Sequence, residues 1–184
     1  MKLKPKNHKI KTGENVLIRE AQKADAEQFI SFLLDNLNTS PYIPLYPDEL
    51  TKSVEEEMEW IESYSKKENS IFLLAEHNGK VIGNIDLAAH TRQMLSHTAV
   101  IGMSVSEKFR NKGLGTLLME TAISWAEENP TLEILSLQVF GENHGGIALY
   151  KKMGFVETGR QPKFFKTRSG KYFDNVTMTK YLTR

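Results

Sequence analysis

The sequence predicts an α/β fold in which a mixed, largely antiparallel twisted sheet of about seven strands is flanked by about four helices. Three observations support this class. Apolar residues switch between strand-like and helix-like spacing, a hairpin signal joins two apolar runs, and a glycine-bearing turn joins a strand to a long helix. At 184 residues the chain fits one domain, which we expect to span residues 15–184 after a flexible basic arm at residues 1–14.

The first half of the chain alternates strands with two helices. Pro41, Pro44 and Pro47 interrupt the helical pattern and predict a loop. Asn78 and Gly79 tolerate positive φ and predict a hairpin turn. The predicted elements are a strand at residues 16–20, helices at 23–37 and 51–67, and strands at 70–76 and 80–88.

The second half continues the alternation and closes with a hairpin. Asn129-Pro130 and Gly154 are helix-ending signals, and the segment from Arg168 to Gly170 is a turn signal. The predicted elements are strands at residues 98–105 and 134–140, helices at 113–128 and 143–153, and a hairpin of 164–166 with 172–181.

Composition excludes several classes of function. The chain has no cysteine, which excludes disulfides, thiolate metal sites and a cysteine nucleophile; we expect no metal and a cytoplasmic location. Lysine and arginine total 24 against 23 aspartate and glutamate, so no global field recruits nucleic acid or an anionic membrane. No apolar run is long enough to predict a membrane span.

A basic, glycine-bearing turn lies at residues 105–116, between a predicted strand and a predicted helix. Gly113 and Gly115 let the backbone approach a ligand, and the N–H groups of a first helical turn attract anions. Arg110 and Lys112 add positive charge. The spacing matches neither a Walker A loop nor a dinucleotide fingerprint, which would need glycine at Leu118. The turn predicts a phosphate site. The alternative is that its glycines only shape the turn between the strand and the helix.

Two motifs resemble the GNAT superfamily of N-acetyltransferases. Arg110-x-x-Gly113-x-Gly115 is similar to that superfamily's coenzyme A pyrophosphate loop, and the segment from Asn143 through Leu149-Tyr150 to Gly154-Phe155 is similar to its second signature. The resemblance covers roughly residues 80–160. It implies acetyl-CoA as co-substrate and transfer to a primary amine, such as an amino acid or a peptide or protein N-terminus. Gly146 departs from the usual alanine and should loosen the first helical turn.

The resemblance also implies which residues bind the coenzyme. The strand before the turn offers main-chain hydrogen bonds to the pantetheine arm, and we expect it to separate from the strand ending near Phe140. Asn143 also suits a helix cap, and the strand alone would be an ordinary core strand. The implied binding residues are Met103, Ser104, Val105, Arg110, Asn111, Lys112, Gly113, Leu114, Gly115, Thr116, Asn143 and Tyr150.

The catalytic candidates are less constrained by the motifs. By the resemblance, Tyr150 is the general acid for the departing thiolate; alternatively its ring only packs in the core. The position from which some relatives present a glutamate base is Ala99 here. A water relay through His97 or Asp86, or through Glu76, is therefore the hypothesis for the base.

The sequence leaves the acceptor open. At neutral pH, deprotonating a lysine-like amine costs about 4.6 kcal/mol against about 1 kcal/mol for an α-amine, which favours an α-amine. The acidic run at residues 55–62 is either a solvated helix face or an attractor of a cationic acceptor. Alternatives are transfer to a drug or toxin amine and a non-catalytic coenzyme A-binding sensor. Terminal strands leave room for a homodimer.

Overall fold

The computed structural model describes residues 2–183. Within these residues the fold has eight strands and four α-helices. The strands are β1 (Lys6–Lys9), β2 (Asn15–Glu20), β3 (Ile71–His77), β4 (Lys80–Ala89), β5 (Thr98–Val105), β6 (Ile134–Phe140), β7 (Val156–Lys166) and β8 (Tyr172–Tyr181). The helices are α1 (Ala26–Thr39), α2 (Val54–Ser65), α3 (Leu114–Glu128) and α4 (His144–Lys152).

The strands form one sheet in the order β1-β2-β3-β4-β5-β6-β8-β7. β5 and β6 pair in parallel, and the other neighbouring strands pair antiparallel. The predicted mixed, largely antiparallel α/β fold is therefore confirmed. Among helices of the described chain, none combines the length and apolar character that crossing a bilayer requires.

The sheet separates two apolar layers. On one face, α3 buries Leu118 in the main core cluster; on the other face, Phe29 of α1 packs against Phe72 of β3. Neighbouring residues of a strand point to opposite faces, and accordingly Leu73 and Leu74 belong to different layers. The unbroken apolar run in β3 therefore follows from a strand covered on both sides.

β5 and β6 separate towards their C-terminal ends. Within the described residues, their pairing covers Thr98 to Val100 on β5 and Ile134 to Ser136 on β6. β5 continues to Val105 and keeps its pairing with β4, while β6 keeps its pairing with β8. The main chain of β5 beyond Val100 therefore has one edge that no strand covers, which is the separation expected from the sequence.

Two strands differ from the prediction. β1 lies inside the segment predicted as a flexible arm and pairs with β2 through residues 6–9. Its side chains are mostly exposed. The strand forms through backbone pairing, and its sequence therefore lacks the apolar pattern that would predict a strand. β7 begins at Val156 instead of residue 164, because its exposed residues and two register shifts hide the alternation that signals a strand.

Candidate active site

The loop between β5 and α3 has two residues in the left-handed region. Asn111 has a φ of +62° and Gly113, the residue before α3, has a φ of +90°. A β-carbon is strained in that conformation, which accounts for glycine at this position. The first N–H groups of α3 have no acceptors within the helix and can bind an anion. The loop therefore has the backbone geometry of a phosphate site.

Gly115 lets α3 begin in close contact with its neighbours. A β-carbon at this position would lie 3.2 Å from Leu149 Cδ2 of α4 and 3.7 Å from Met103 Cε of β5. The start of α3, the end of β5 and α4 therefore meet at one point.

Arg110 joins the loop to α1. Its Nε donates to the Val105 carbonyl oxygen at 3.0 Å, and its terminal nitrogens donate to the Thr39 carbonyl oxygen at 3.0 Å and to Asn36 Oδ1 at 3.1 Å. Such charge-assisted hydrogen bonds hold the loop in place. Arg110 thus has a positioning role that the sequence did not predict, in addition to bringing positive charge to the loop.

A cavity of about 320 Å³ lies between this loop, the end of β5 and α4. We call it the helix-end cavity. It brings together most of the residues predicted to bind the coenzyme: Met103, Ser104, Val105, Arg110, Asn111, Gly115, Asn143 and Tyr150. The rest of its wall comes from α1, the segment after it and α4: Asn36, Ser40, Pro41, Tyr42, Ile43, Gly145, Gly146 and Leu149.

The remaining predicted binding residues lie outside this wall. Leu114 is fully buried in the core, so only its main-chain N–H can face a ligand. The Lys112 Nζ atom lies 3.4 Å from Glu14 Oε1. Gly113 and Thr116 flank the first turn of α3, where main-chain groups are the ones available to an anion.

Asn143 caps α4. Its Oδ1 accepts a hydrogen bond from the Gly146 N–H at 3.0 Å. A β-carbon at Gly146 would lie 2.8 Å from Asn143 Nδ2, so a glycine leaves room for this cap. α4 begins at His144, directly after the cap, despite the paired glycines.

Tyr150 lines the helix-end cavity while its ring packs edge-to-face against Phe155, with the ring centroids 6.3 Å apart. The residue is 9% exposed, and burial raises the pKa of its hydroxyl to about 12. The hydroxyl therefore stays protonated at neutral pH. Packing and proton donation, the two roles considered from the sequence, are compatible in this position.

A second cavity, of about 360 Å³, lies on the α1 and α2 face of the sheet. It shares Met103 and Ser104 with the helix-end cavity, so the two cavities meet at these residues. We call it the acidic pocket, because its wall includes three carboxylates. The wall is formed by Phe29, Leu33, Leu45, Glu49, Leu50, Thr51, Lys52, Glu57, Trp60, Asn84, Asp86, Gly102, Met103 and Ser104.

Asp86 lies in the acidic pocket on β4, opposite Gly102 of β5. Its Oδ2 accepts a hydrogen bond from the Tyr64 hydroxyl at 2.8 Å, and a β-carbon at Gly102 would lie 2.6 Å from its Oδ1. Burial raises the pKa of Asp86 to about 6, although the hydrogen bond from Tyr64 opposes this change. At neutral pH the carboxylate is mostly ionised and can accept a proton.

Neither cavity is lined by the other candidates for the base, His97 and Glu76. His97 precedes β5 at the opposite end from Met103, about 20 Å away at the usual rise per strand residue. Its carbonyl oxygen accepts hydrogen bonds from the Glu133 and Ile134 N–H groups. Glu76, another proposed relay residue, is paired with Arg19 at 3.0 Å.

Sequence reasoning missed two residues of the acidic pocket region, Tyr64 and Asn84, and left the role of the acidic run containing Glu57 open. Glu57 is 3% exposed, so this residue of the run does not belong to a solvated face. Glu57 lies at helical spacing from Ile61 and Tyr64. This spacing was the signal in the sequence that Glu57 faces the same side of the helix as these two residues. For Asn84 the signal was a polar residue, like Asp86, inside the otherwise apolar run of β4.

An aromatic groove of about 700 Å³ adjoins both cavities. It lies between the proline-containing loop and the β7–β8 hairpin. It shares Ser40, Pro41 and Ile43 with the helix-end cavity, and Leu45 and Glu49 with the acidic pocket. In its wall, Phe140 and Phe165 stack with ring centroids 4.0 Å apart. The groove offers an apolar surface next to the junction of the two cavities.

Comparison with known proteins agrees with this geometry. A family model described as the acetyltransferase (GNAT) family matches residues 32–155, more than half of the chain. The chain belongs to this family. This acetyltransferase is therefore an enzyme of the acyltransferase class, and the matched segment contains both the loop before α3 and the Asn143 to Tyr150 segment.

Individual relatives support the same assignment. The crystal structure of an acetyltransferase of the GNAT family from Streptococcus pneumoniae is 32% identical, has a TM-score of 0.88 and covers 91% of this chain and 99% of that chain. The L-amino acid N-acetyltransferase AaaT of Escherichia coli is 29% identical over 66% of this chain and 74% of its own. An N-alpha-acetyltransferase of Sulfurisphaera tokodaii is 26% identical over 80% and 84%.

Gly113→Ala is expected to raise the KM for acetyl-CoA at least several-fold and to destabilise the acetyltransferase by about 1 kcal/mol or more, because alanine is strained at a φ of +90°. Gly13→Ala is the matched control, since Gly13 has a φ of +92° and a β-carbon added there would meet no atom within 4 Å. The control should lose stability but keep the KM. Equal KM values in both variants would contradict a ligand-binding role for this loop.

Proposed function

We propose that the enzyme transfers an acetyl group from acetyl-CoA to a primary amine by direct attack of the amine on the thioester. The observation that supports this most is the junction of the two cavities at Met103 and Ser104. Tyr150, with a protonated hydroxyl, lines one cavity, and Asp86, whose carboxyl pKa is raised to about 6, lines the other. A thioester at the junction has a proton donor on one side and a proton acceptor on the other.

The residues present fit the coenzyme. The first N–H groups of α3, with the charge of Arg110 and Lys112 nearby, would hold its diphosphate. The uncovered edge of β5 from Met103 to Val105 offers main-chain hydrogen bonds to the amide groups of the pantetheine arm. Acetyl-CoA supplies the activated acyl group, and the protein supplies orientation and proton transfer.

The chemistry requires two proton movements. Attack by the neutral amine forms the C–N bond, and a main-chain N–H of β5 stabilises the oxyanion that develops. Asp86 accepts the proton that the nitrogen loses, and the C–S bond breaks as Tyr150 donates its hydroxyl proton to the thiolate. The products are the N-acetylated amine and the free thiol. Solvent exchange then deprotonates Asp86 and restores the proton of Tyr150.

The acceptor in this proposal is a small molecule such as an amino acid, or the N-terminus of a peptide or protein. The names of two relatives support these classes, since one acts on L-amino acids and one is an N-alpha-acetyltransferase. Neither nucleic acid nor membrane is part of the proposal. The proposal includes a cytoplasmic location and a homodimer formed through the terminal strands.

Amine-dependent release of thiol from acetyl-CoA tests the proposal. A panel of amino acids, peptides, polyamines and aminoglycosides is incubated with acetyl-CoA, and the acetylated product is identified by its mass. We expect at least one amine class to be acetylated. Tight binding of acetyl-CoA without turnover of any amine would instead indicate a coenzyme A sensor, and preferential turnover of aminoglycosides would indicate a drug-modifying enzyme.

A further inference from the structure

Asn84 has an unused hydrogen-bond acceptor in the wall of the acidic pocket. The residue is 6% exposed and lines the pocket, and its Oδ1 atom has no hydrogen-bond partner among the described residues. A buried carbonyl oxygen without a donor destabilises a fold. A ligand that brings an N–H group into the pocket would remove this deficit.

Asn84 and Asp86 face the same ligand position. They are two residues apart on β4, so their side chains point to the same face of the sheet. Across the strand pair they lie opposite Ser104 and Gly102, next to the junction of the two cavities. Tyr64 occupies Asp86 Oδ2, and an ammonium group has enough N–H donors to bind the remaining carboxylate oxygen and Asn84 Oδ1 together.

The charge around Asn84 is negative. Among the described residues, the pocket wall has the carboxylates of Glu49, Glu57 and Asp86 and one cationic side chain, Lys52. Lys52 Nζ lies 3.4 Å from Glu57 Oε2 and 4.7 Å from the centroid of the Trp60 ring. The pocket therefore already stabilises one primary ammonium group through a carboxylate and an aromatic ring, and it keeps an excess of negative charge.

We propose that Asn84 Oδ1 and Asp86 bind the acceptor nitrogen as a primary ammonium, which releases one proton to solvent before the neutral amine attacks, and that the surrounding carboxylates select acceptors without a carboxylate beside the amine. This inference rests on the proposed acetyl transfer and narrows its substrate class. Peptide N-termini, amino-acid amides and alkyl amines are preferred over free amino acids, because the α-carboxylate of a free amino acid would lie close to like charges, one of which, Glu57, is buried.

Calorimetric titration tests this selectivity without depending on turnover. The protein, saturated with coenzyme A, is titrated with the amides of glycine, leucine and phenylalanine and with the corresponding free acids. Amides are expected to bind at least about tenfold more tightly than acids in the wild type, and Glu57→Gln is expected to reduce this ratio.

Asn84→Leu separates the ligand role from a structural role. It removes the unpaired oxygen at similar volume, so the melting temperature is expected to stay the same or rise while amide binding weakens by about tenfold or more. Asn175→Leu is the matched control, because Asn175 is 1% exposed, also has an Oδ1 without a partner among the described residues, and lies outside the acidic pocket. If Asn84→Leu does not fold, Asn84→Ala is measured in the same way.

Equal binding of amides and acids by the wild type would overturn the inference, as would unchanged amide binding in the Asn84 variant. These outcomes are distinct from failure of the proposed function. Amides that bind but are never acetylated would contradict acetyl transfer and leave the ammonium site standing. Acetylation of amines with no preference between amides and acids would contradict only the selectivity.

Discussion

Asp86→Asn is expected to lower kcat/KM for the acceptor by about 100-fold or more, because an amide cannot accept the proton that the attacking nitrogen loses. In the wild type, kcat/KM should fall as the pH decreases through about 6, where Asp86 becomes protonated. The variant should lack this dependence. Steady-state thiol release between about pH 5 and pH 9 measures both effects.

The matched control for this variant is Asp35→Asn. Asp35 is an exposed residue of α1 that lines none of the described cavities, so its replacement should change neither kcat/KM nor the pH dependence. Glu57, Glu49 and Lys52 line the same pocket as Asp86, and Tyr64 donates a hydrogen bond to it. An acid limb near pH 6 that survives in Asp86→Asn would show that another group is the base.

Asp86→Asn should also stabilise the protein at neutral pH. The pKa of Asp86 is raised in the folded state, so folding favours the protonated carboxyl, and stability is lost as the pH rises from about 4 to about 6. Asparagine stays neutral throughout. The variant should therefore gain at most about 3 kcal/mol relative to the wild type at pH 8, and almost nothing at pH 4. Thermal unfolding at the two pH values measures the difference.

Tyr150→Phe is expected to lower kcat by about 100-fold while the affinity for coenzyme A stays within about twofold. The phenylalanine ring keeps the packing against Phe155, so the folded structure is retained. The loss comes from the proton that the departing thiolate no longer receives. Single-turnover thiol release measures the chemical step, and calorimetry measures coenzyme binding.

Tyr181→Phe provides the control for this substitution. Tyr181 is 66% exposed at the end of β8, and its hydroxyl lies outside the described cavities. It should behave like the wild type. A Tyr150→Phe variant that keeps full kcat would show that the hydroxyl of Tyr150 does not protonate the leaving group.

The fold was largely predictable because its signals are local. Paired strands such as β3 and β4 have apolar runs separated by a hairpin turn at Asn78 and Gly79, and α3 follows a turn whose glycine has the positive φ that its position requires. β1 escaped prediction because backbone pairing to a sheet edge leaves no apolar pattern. β7 escaped because its register shifts break the alternation.

The coenzyme half of the site was also easier to predict from the sequence than the acceptor half. The coenzyme half is a continuous loop and helix start, so its residues are close in the sequence. The acceptor half is assembled from α2, β4 and β5, and the meeting of Glu57, Asn84 and Asp86 depends on strand pairing and helix packing. For the same reason the sequence did not show that His97 lies at the end of β5 opposite Met103, far from the junction of the two cavities.

A crystal structure with bound coenzyme A shows where the sulfur lies, and the proposed acetyl transfer requires one position for it. We predict that the sulfur lies at the junction of the cavities beside Met103, within about 3.5 Å of the Tyr150 hydroxyl, with the diphosphate on the first turn of α3. A sulfur outside the junction, separated from Tyr150 and from the acidic pocket, would rule out proton donation by Tyr150 and proton acceptance by Asp86.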